Sequence, residues 1–160
     1  MDTNRFFETL SRRSDADNAV IATLRRSLRS DPGTDARAMR LIEPLLPPQI
    51  TKQKRQSVYL VAGLWALVNR RTNAKPQPLA AAMKSIADNS SIQSRFERLL
   101  DSDLDELPYR LRQAVTLIAS KNVAIDWPQL LSDLHGWNWS SHSVQENWAK
   151  QFWRVELAPS

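Results

Sequence analysis

Thr51-Lys52-Gln53-Lys54-Arg55-Gln56-Ser57-Val58-Tyr59-Leu60-Val61-Ala62-Gly63-Leu64-Trp65-Ala66-Leu67-Val68-Asn69 is the stretch whose reading decides the fold. From Val58 to Val68 it is apolar without interruption, and a helix apolar on every face is one buried at the centre of a bundle. Its eleven apolar residues fall well short of the ~20 needed to span a bilayer. The head of the same helix is opposite in character. Lys52, Lys54 and Arg55 crowd its first turns, where the helix macrodipole favours acids.

Helical spacing continues on both sides, and strand-like alternation is nearly absent. Upstream, the first strong helix is expected after Ser14-Asp15-Ala16-Asp17, with Val20, Ile21, Leu24 and Leu28 as its apolar stripe and Arg25, Arg26 and Arg29 off it. Asp31 to Asp35 reads as a loop whose end caps a short helix running to Glu43 and closed by Pro44. Downstream, the Pro-containing basic stretch Arg70 to Leu79 reads as a hinge or lobe boundary. Helices are expected over 79–87, 91–101, 104–120, 126–135 and 143–155. Asp126, Pro128 and Gln129 give the fourth of these an N-cap signature, and Gly136 a stop. The fold class is all-α, with about eight or nine helices. A length of 160 residues admits one compact domain or two small lobes.

The charge is concentrated. Residues 36–84 hold nine basic side chains (Arg37, Arg40, Lys52, Lys54, Arg55, Arg70, Arg71, Lys75 and Lys84) against one acid, Glu43, in a chain of net charge +5. An ordinary solvated helix would carry compensating acids at i±4, and these are missing. Concentrated positive charge attracts polyanions and releases their counterions, which is the sequence-independent part of nucleic-acid binding.

Enzyme chemistry finds little footing. The chain has no Cys, which removes thiolate metal sites, thiol nucleophiles and disulfides. His135 and His142 lack a partner at metal spacing and read as capping or surface residues. The acids Asp101, Asp103, Asp105 and Glu106 lack the Gly and spaced acid of a calcium loop and suit helix ends. A metal nuclease built on them would need acids converging in a pocket. No phosphate-cradling Gly loop, helix-turn-helix or RNA-recognition signature occurs. Five of the six Trp lie in the last third, and their helical spacing makes most of them core. Trp139, in a loop, is either core or an exposed stacking aromatic. The first twenty residues have no apolar run of the kind a signal peptide needs, so a cytoplasmic protein without cofactor is expected.

The C-terminal half carries a more specific pattern. Ser94-Arg95-Phe96-Glu97-Arg98-Leu99-Leu100 is followed by Leu107-x-x-Arg110-Leu111-Arg112-x-x-Val115 and then by Ile125-Asp126-Trp127-Pro128-x-Leu130-Leu131-x-x-Leu134-x-x-Trp137. Together with Phe6-Phe7-x-x-Leu10, Leu24-Arg25-Arg26 and Ala36-Arg37-x-x-Arg40-x-x-x-Pro44, this order resembles the CasB family, the small subunit of the type I-E CRISPR Cascade complex. The most specific element is the Asp-Trp-Pro helix start with a Trp eleven residues after Asp126.

The resemblance implies an all-helical, two-lobed subunit without enzymatic activity, here an N-terminal basic lobe over 1–88 and a C-terminal lobe over 89–160. It implies partnership with the backbone and large subunits of the complex, with a second copy, and with crRNA-guided target DNA, especially its displaced single strand. In such a complex, base pairing reads the sequence and protein charge stabilises the strands. By position, the resemblance marks Arg25, Arg26, Arg37, Arg40, Arg95, Arg110 and Arg112 as nucleic-acid contacts. Lys52, Lys54 and Arg55 join them on the charge argument. For Arg112 a second reading is a half-buried pair with Asp101 or Asp126. The alternative function is a scaffold whose basic face docks only on acidic subunits or on the guide RNA assembly.

Overall fold

The structure, a computed structural model, describes residues 1–68 and 73–155. Among these residues the chain forms nine α-helices: α1 (Thr3–Ala16), α2 (Ala19–Ser27), α3 (Ala36–Ile42), α4 (Lys52–Leu67), α5 (Leu79–Ser85), α6 (Ser90–Leu100), α7 (Leu107–Ser120), α8 (Trp127–His135) and α9 (Ser143–Trp153). A 3-10 turn, Glu43–Leu45, follows α3. The described residues contain no strand beyond an isolated bridge between Gln77 and Ile125. The fold is all-α, as the sequence led one to expect. Arg70 and Arg71, the head of the expected hinge, lie outside the described residues.

Two compact units divide the chain, one of Met1–Arg71 with Trp127–His135 and the other of Thr72–Asp126 with Gly136–Ser160. The lobes expected at 1–88 and 89–160 follow chain order, whereas these units do not. The reason is the apolar face of α8. Leu130, Leu131 and Leu134 are buried, and the helix packs on α1 and α4 of the first unit. Helix α5, expected with the N-terminal lobe, packs instead on α7 and α9.

In the first unit α4 is the central element. Thr51 Oγ1 caps it by accepting from Lys54 N at 3.3 Å, and Val58 to Leu64 and Ala66 are buried. Gln53 Nε2 donates to Leu134 O at 2.9 Å, tying its polar head to the end of α8. Helix α1 buries Phe6, Phe7 and Leu10. It begins at Thr3, so Ser14, Asp15 and Ala16 are its last turn and not the entry to the next helix. The competing signal was a strongly polar sequence in which three apolar residues suffice for a stripe. Just before α2, Asp17 Oδ1 accepts from Ala19 N at 2.9 Å. Asp35 likewise caps α3 through the Arg37 and Ala38 amides.

Gly63 lets α2 and α4 meet. A Cβ there would stand 2.6 Å from Leu28 Cδ2 and 3.3 Å from the Leu24 carbonyl oxygen. At the end of α8, His135 Nε2 is buried without a hydrogen-bond partner. Burial, with the charges of Lys54 and the N-terminal amine behind it, pushes His135 down to about 4.

The second unit has its own aromatic core. Phe96 stacks on Phe152 with ring centroids 4.1 Å apart, and Trp137 meets Trp148 edge-on at 5.0 Å. Trp137 Nε1 donates to Ser102 O at 3.0 Å, so the one polar atom of that buried indole is satisfied. Helix α7 starts at Leu107, three residues later than expected. Asp103 Oδ1 accepts from Asp105 N at 3.0 Å and Glu106 N at 2.8 Å, holding a turn where a helix was expected.

Two stability predictions follow from the first unit. Gly63→Ala gains up to ~1 kcal/mol of helix propensity but overpacks a seam that includes backbone, at a cost of 1–3 kcal/mol, so a net loss of roughly 1 kcal/mol is expected in denaturant unfolding. The second concerns pH. Folded His135 titrates below the unfolded value of 6.5, so between those values the unfolded chain holds the extra proton. Stability should therefore be complete above pH 6.5 and fall by of order 2 kcal/mol as pH drops toward 4. His135→Leu should remove that slope, and denaturant midpoints at pH 7 and 4.5 for both proteins check it.

Candidate nucleic-acid interface

The two units differ in charge. The first holds 13 Lys and Arg against 8 Asp and Glu, and the second holds nine of each, so the whole net charge of +5 belongs to the first. Seven of the ten candidate residues lie in that unit: Arg25, Arg26, Arg37, Arg40, Lys52, Lys54 and Arg55. Arg95, Arg110 and Arg112 lie in the second.

Helices α2 and α3 set the most open part. Their apolar residues, Val20 and Leu24 on α2 and Ala38 and Ile42 on α3, are buried, and the arginines are thereby turned outward. Arg26, Arg37 and Arg40 are exposed and make no side-chain hydrogen bond or ion pair among the described residues. Arg37 and Arg40 line an open hollow of about 270 Å3 together with Thr23 and Asp17. Arg25 is exposed but also donates from Nη2 to Ala66 O at 3.3 Å. Arg29 is exposed at i+3 from Arg26 and i+4 from Arg25. It lies in the turn that follows α2 and is a further exposed cation of the first unit.

At the head of α4 the three basic residues separate. Arg55 is structural. Its Nε donates to Glu43 Oε1 at 2.7 Å, Nη2 pairs with the same oxygen at 2.5 Å, and Nη1 donates to Gly33 O at 3.2 Å. Tyr59 OH donates to Glu43 Oε1 at 2.7 Å, and the Arg55 guanidinium lies over the Tyr59 ring at 4.8 Å. Gly33 adopts φ 85° there, and a side chain on it would strike Arg55 Nη1. The hydrogen bond from Tyr59 and the Arg55 charge hold the Glu43 carboxyl below its ordinary value despite some burial. Burial and the bonded carboxylate raise Tyr59 far above that of a free phenol. The one acid of residues 36–84 is thus paired with Arg55. Lys54 is half-buried and close enough to His135 for its charge to act on that ring. Lys52 is exposed and unpaired among the described residues.

In the second unit, Arg110 is a structural brace. Nη1 donates to Arg98 O at 2.6 Å and to Ser102 Oγ at 3.3 Å, and Nη2 pairs with Glu106 at 2.6 Å. Arg95 and Arg112 are exposed without a side-chain partner among the described residues, so Arg112 is not the half-buried member of a pair with Asp101 or Asp126. Of the acids from Asp101 to Glu106, Asp103 caps a turn and Glu106 pairs with Arg110. Among the described residues no group of three His, Asp or Glu converges closely enough to hold a metal ion.

The family model for CRISPR-associated protein Cse2 matches residues 20–153. The chain belongs to the Cse2 family. Over 136 residues it is 36% identical to the CRISPR-associated protein Cse2 of Thermus thermophilus, covering 84% of this chain and 79% of that relative. The crystal structure of CasB from Thermus thermophilus, at 35% identity, shares the fold with a TM-score of 0.83 over 94% of this chain and 97% of that one. A chain of a CRISPR RNA-guided surveillance complex has the same fold at 20% identity, with a TM-score of 0.80 over 94% of this chain and 91% of that one. The resemblance drawn from the sequence therefore holds.

Splitting the α4 cations by what they touch gives a direct test. Arg55→Ala leaves the bonded Glu43 and Tyr59 without their cation and should cost ~1–2 kcal/mol, the exposure of the pair having been allowed for. Lys52→Ala should leave stability within ~0.5 kcal/mol of the parent. Thermal or denaturant unfolding of the two variants side by side decides it, and equal costs would contradict the assignment.

Proposed function

We propose that the protein is a non-catalytic small subunit of a type I-E CRISPR surveillance complex, in the cytoplasm. It binds nucleic acid without reading its sequence and steadies the displaced strand of the target DNA during recognition. Its partners in that role are the backbone and large subunits, a second copy, and the guide RNA's DNA target. Membership of the Cse2 family and the fold shared with a chain of a guided surveillance complex support the assembly. The observation that carries the nucleic-acid role is the exposed, unpaired set Arg26, Arg37, Arg40 and Lys52 in the unit that holds all the net charge.

The chemistry suits phosphate. A guanidinium offers five donors in a planar fork that matches two phosphate oxygens, and an arginine free of a carboxylate has no partner to abandon on binding. Reading a base edge requires side chains held in fixed geometry at a groove floor. Unbraced arginines on the outer faces of α2 and α3, with Lys52 in the first turn of α4, supply charge along a path instead. Arg55 and Arg110 fall outside this set, because the fold already uses their donors.

Anisotropy titrations of labelled single-stranded DNAs of unrelated sequence at two salt concentrations test the reading. The parent should bind all of them alike, with affinity falling steeply as salt rises. Arg37→Glu with Arg40→Glu should weaken every sequence in the same proportion and lower the salt slope by about two contacts. Unchanged binding by that variant, or a change in sequence preference at constant affinity, would falsify the phosphate path.

A further inference from the structure

The second unit carries an open hollow of about 520 Å3 that the nucleic-acid reading does not use. Asp101, Asp103 and Leu104 line one part of it and Trp137, Trp139 and Gln145 another, with no Lys or Arg among its lining residues. Trp139 is 55% exposed. One side of its indole rests on Gly136, where a Cβ would come within 2.9 Å of the ring, so the backbone is bare to let the ring lie down. Leu104, a second large apolar side chain at the hollow, is 39% exposed.

Asp101 and Asp103 line the hollow as acceptors, and Asn138, Ser140 and His142 line it with N–H or O–H groups as well. Gln145 Nε2 donates to Trp137 O at 2.8 Å, which orients the amide and leaves Oε1 buried with no donor. Asp101 is exposed, and its carboxylate has no side-chain partner among the described residues. The hollow therefore presents negative charge and an open aromatic ring, with no Lys or Arg to match them. Phosphate would be repelled there.

We propose that this hollow receives an arginine side chain from a different protein of the assembly. A guanidinium is weakly hydrated and planar. It can stack on the Trp139 indole while its edge donates to the Asp101 carboxylate. A lysine ammonium has a more tightly held hydration shell and no flat face for the ring. No Lys or Arg of this chain lines the hollow, and the arginines on α2 and α3 are assigned to phosphate, so the donor is a different protein. That last step rests on the proposed function, whereas the chemistry of the hollow does not.

The isotopically labelled full chain, titrated with acetyl-Gly-Arg-Gly-amide and its lysine and citrulline counterparts and followed by NMR, tests this. Saturable shifts of the Trp139 indole N–H and the Gln145 side-chain amide are expected in the millimolar range, several-fold weaker with lysine and absent with citrulline. Asp101→Asn, an exposed and isosteric change, should weaken the arginine peptide about tenfold while leaving the anisotropy of bound DNA unchanged. Trp139→Leu should abolish the response. An equal response to citrulline, shifts that never saturate, or an Asp101→Asn titration identical to the parent would overturn the proposal. So would concentration-dependent dimerisation that Asp101→Asn abolishes in sedimentation, since it would assign the hollow to a second copy. Loss of DNA binding by the parent chain with the peptide response intact would strike the proposed function alone.

Discussion

Burial of α4 on every face is the constraint on which the first unit depends. Each Val or Leu taken fully out of water contributes about 1.5–3 kcal/mol, and the run from Val58 to Leu64 is buried throughout. To cover one helix all round, α1, α2 and α8 must surround it, and α8 is drawn there from far along the chain. Gly63 sets how closely α2 can approach. The apolar faces of α2 and α3 are thereby spent on the core, so their arginines are left on the outside. The basic face is in this sense a by-product of how the core is covered.

The same constraint limits which cations remain for a ligand. The head of α4 cannot simply be wet, because its next turn is buried. Arg55 is fixed by Glu43 and Gly33 and lies over Tyr59, and Lys54 is half-buried near His135. The mismatch between basic side chains and the start of a helix therefore has a local resolution for two of the three residues. Only Lys52 remains without one. A count of charges along the sequence overstates the number available to a polyanion, since a guanidinium already holding a carboxylate or a carbonyl must lose that bond first.

The sequence made the helices legible wherever an apolar stripe was long or a cap was chemically plain, as with Thr51 before α4 and Asp35 before α3. It concealed α1, whose stripe is only Phe6, Phe7 and Leu10 in a polar stretch. It also concealed the grouping of helices, because α8 announces an apolar face without saying which neighbour covers it. Among the candidate site residues, position and charge type were legible and burden was not. Glu106, four residues before Arg110, marks its ion pair locally, but the bonds by which Arg110 braces the α6–α7 turn leave no trace in the sequence. They come from Arg98 and Ser102 meeting Arg110 in three dimensions on one side of α7. Trp139 was left open between core and surface because a loop aromatic can do either. Gly136 settles it by giving the ring one side to rest on while the other stays in solvent.

The polar surfaces of the two units are complementary in kind. The first leaves donors unmatched, as guanidinium groups on α2 and α3, and the second leaves acceptors unmatched around Trp139. Had the chain evolved only to be soluble, pairing these groups within each unit would have been the cheaper arrangement. Glu43 with Arg55, Glu106 with Arg110 and Glu146 with Lys150 show that such pairs form readily here. Leaving donors open invites a polyanion, and leaving acceptors open beside an aromatic ring invites a cationic side chain. In the role proposed, a subunit that holds a nucleic-acid strand and keeps its place among proteins needs both, and it gains by keeping them chemically distinct. On the two proposed readings, phosphate is repelled from the carboxylates of the hollow and an incoming arginine from the basic face. Like-charge repulsion on each surface excludes the wrong partner at no cost to the contacts that hold the right one.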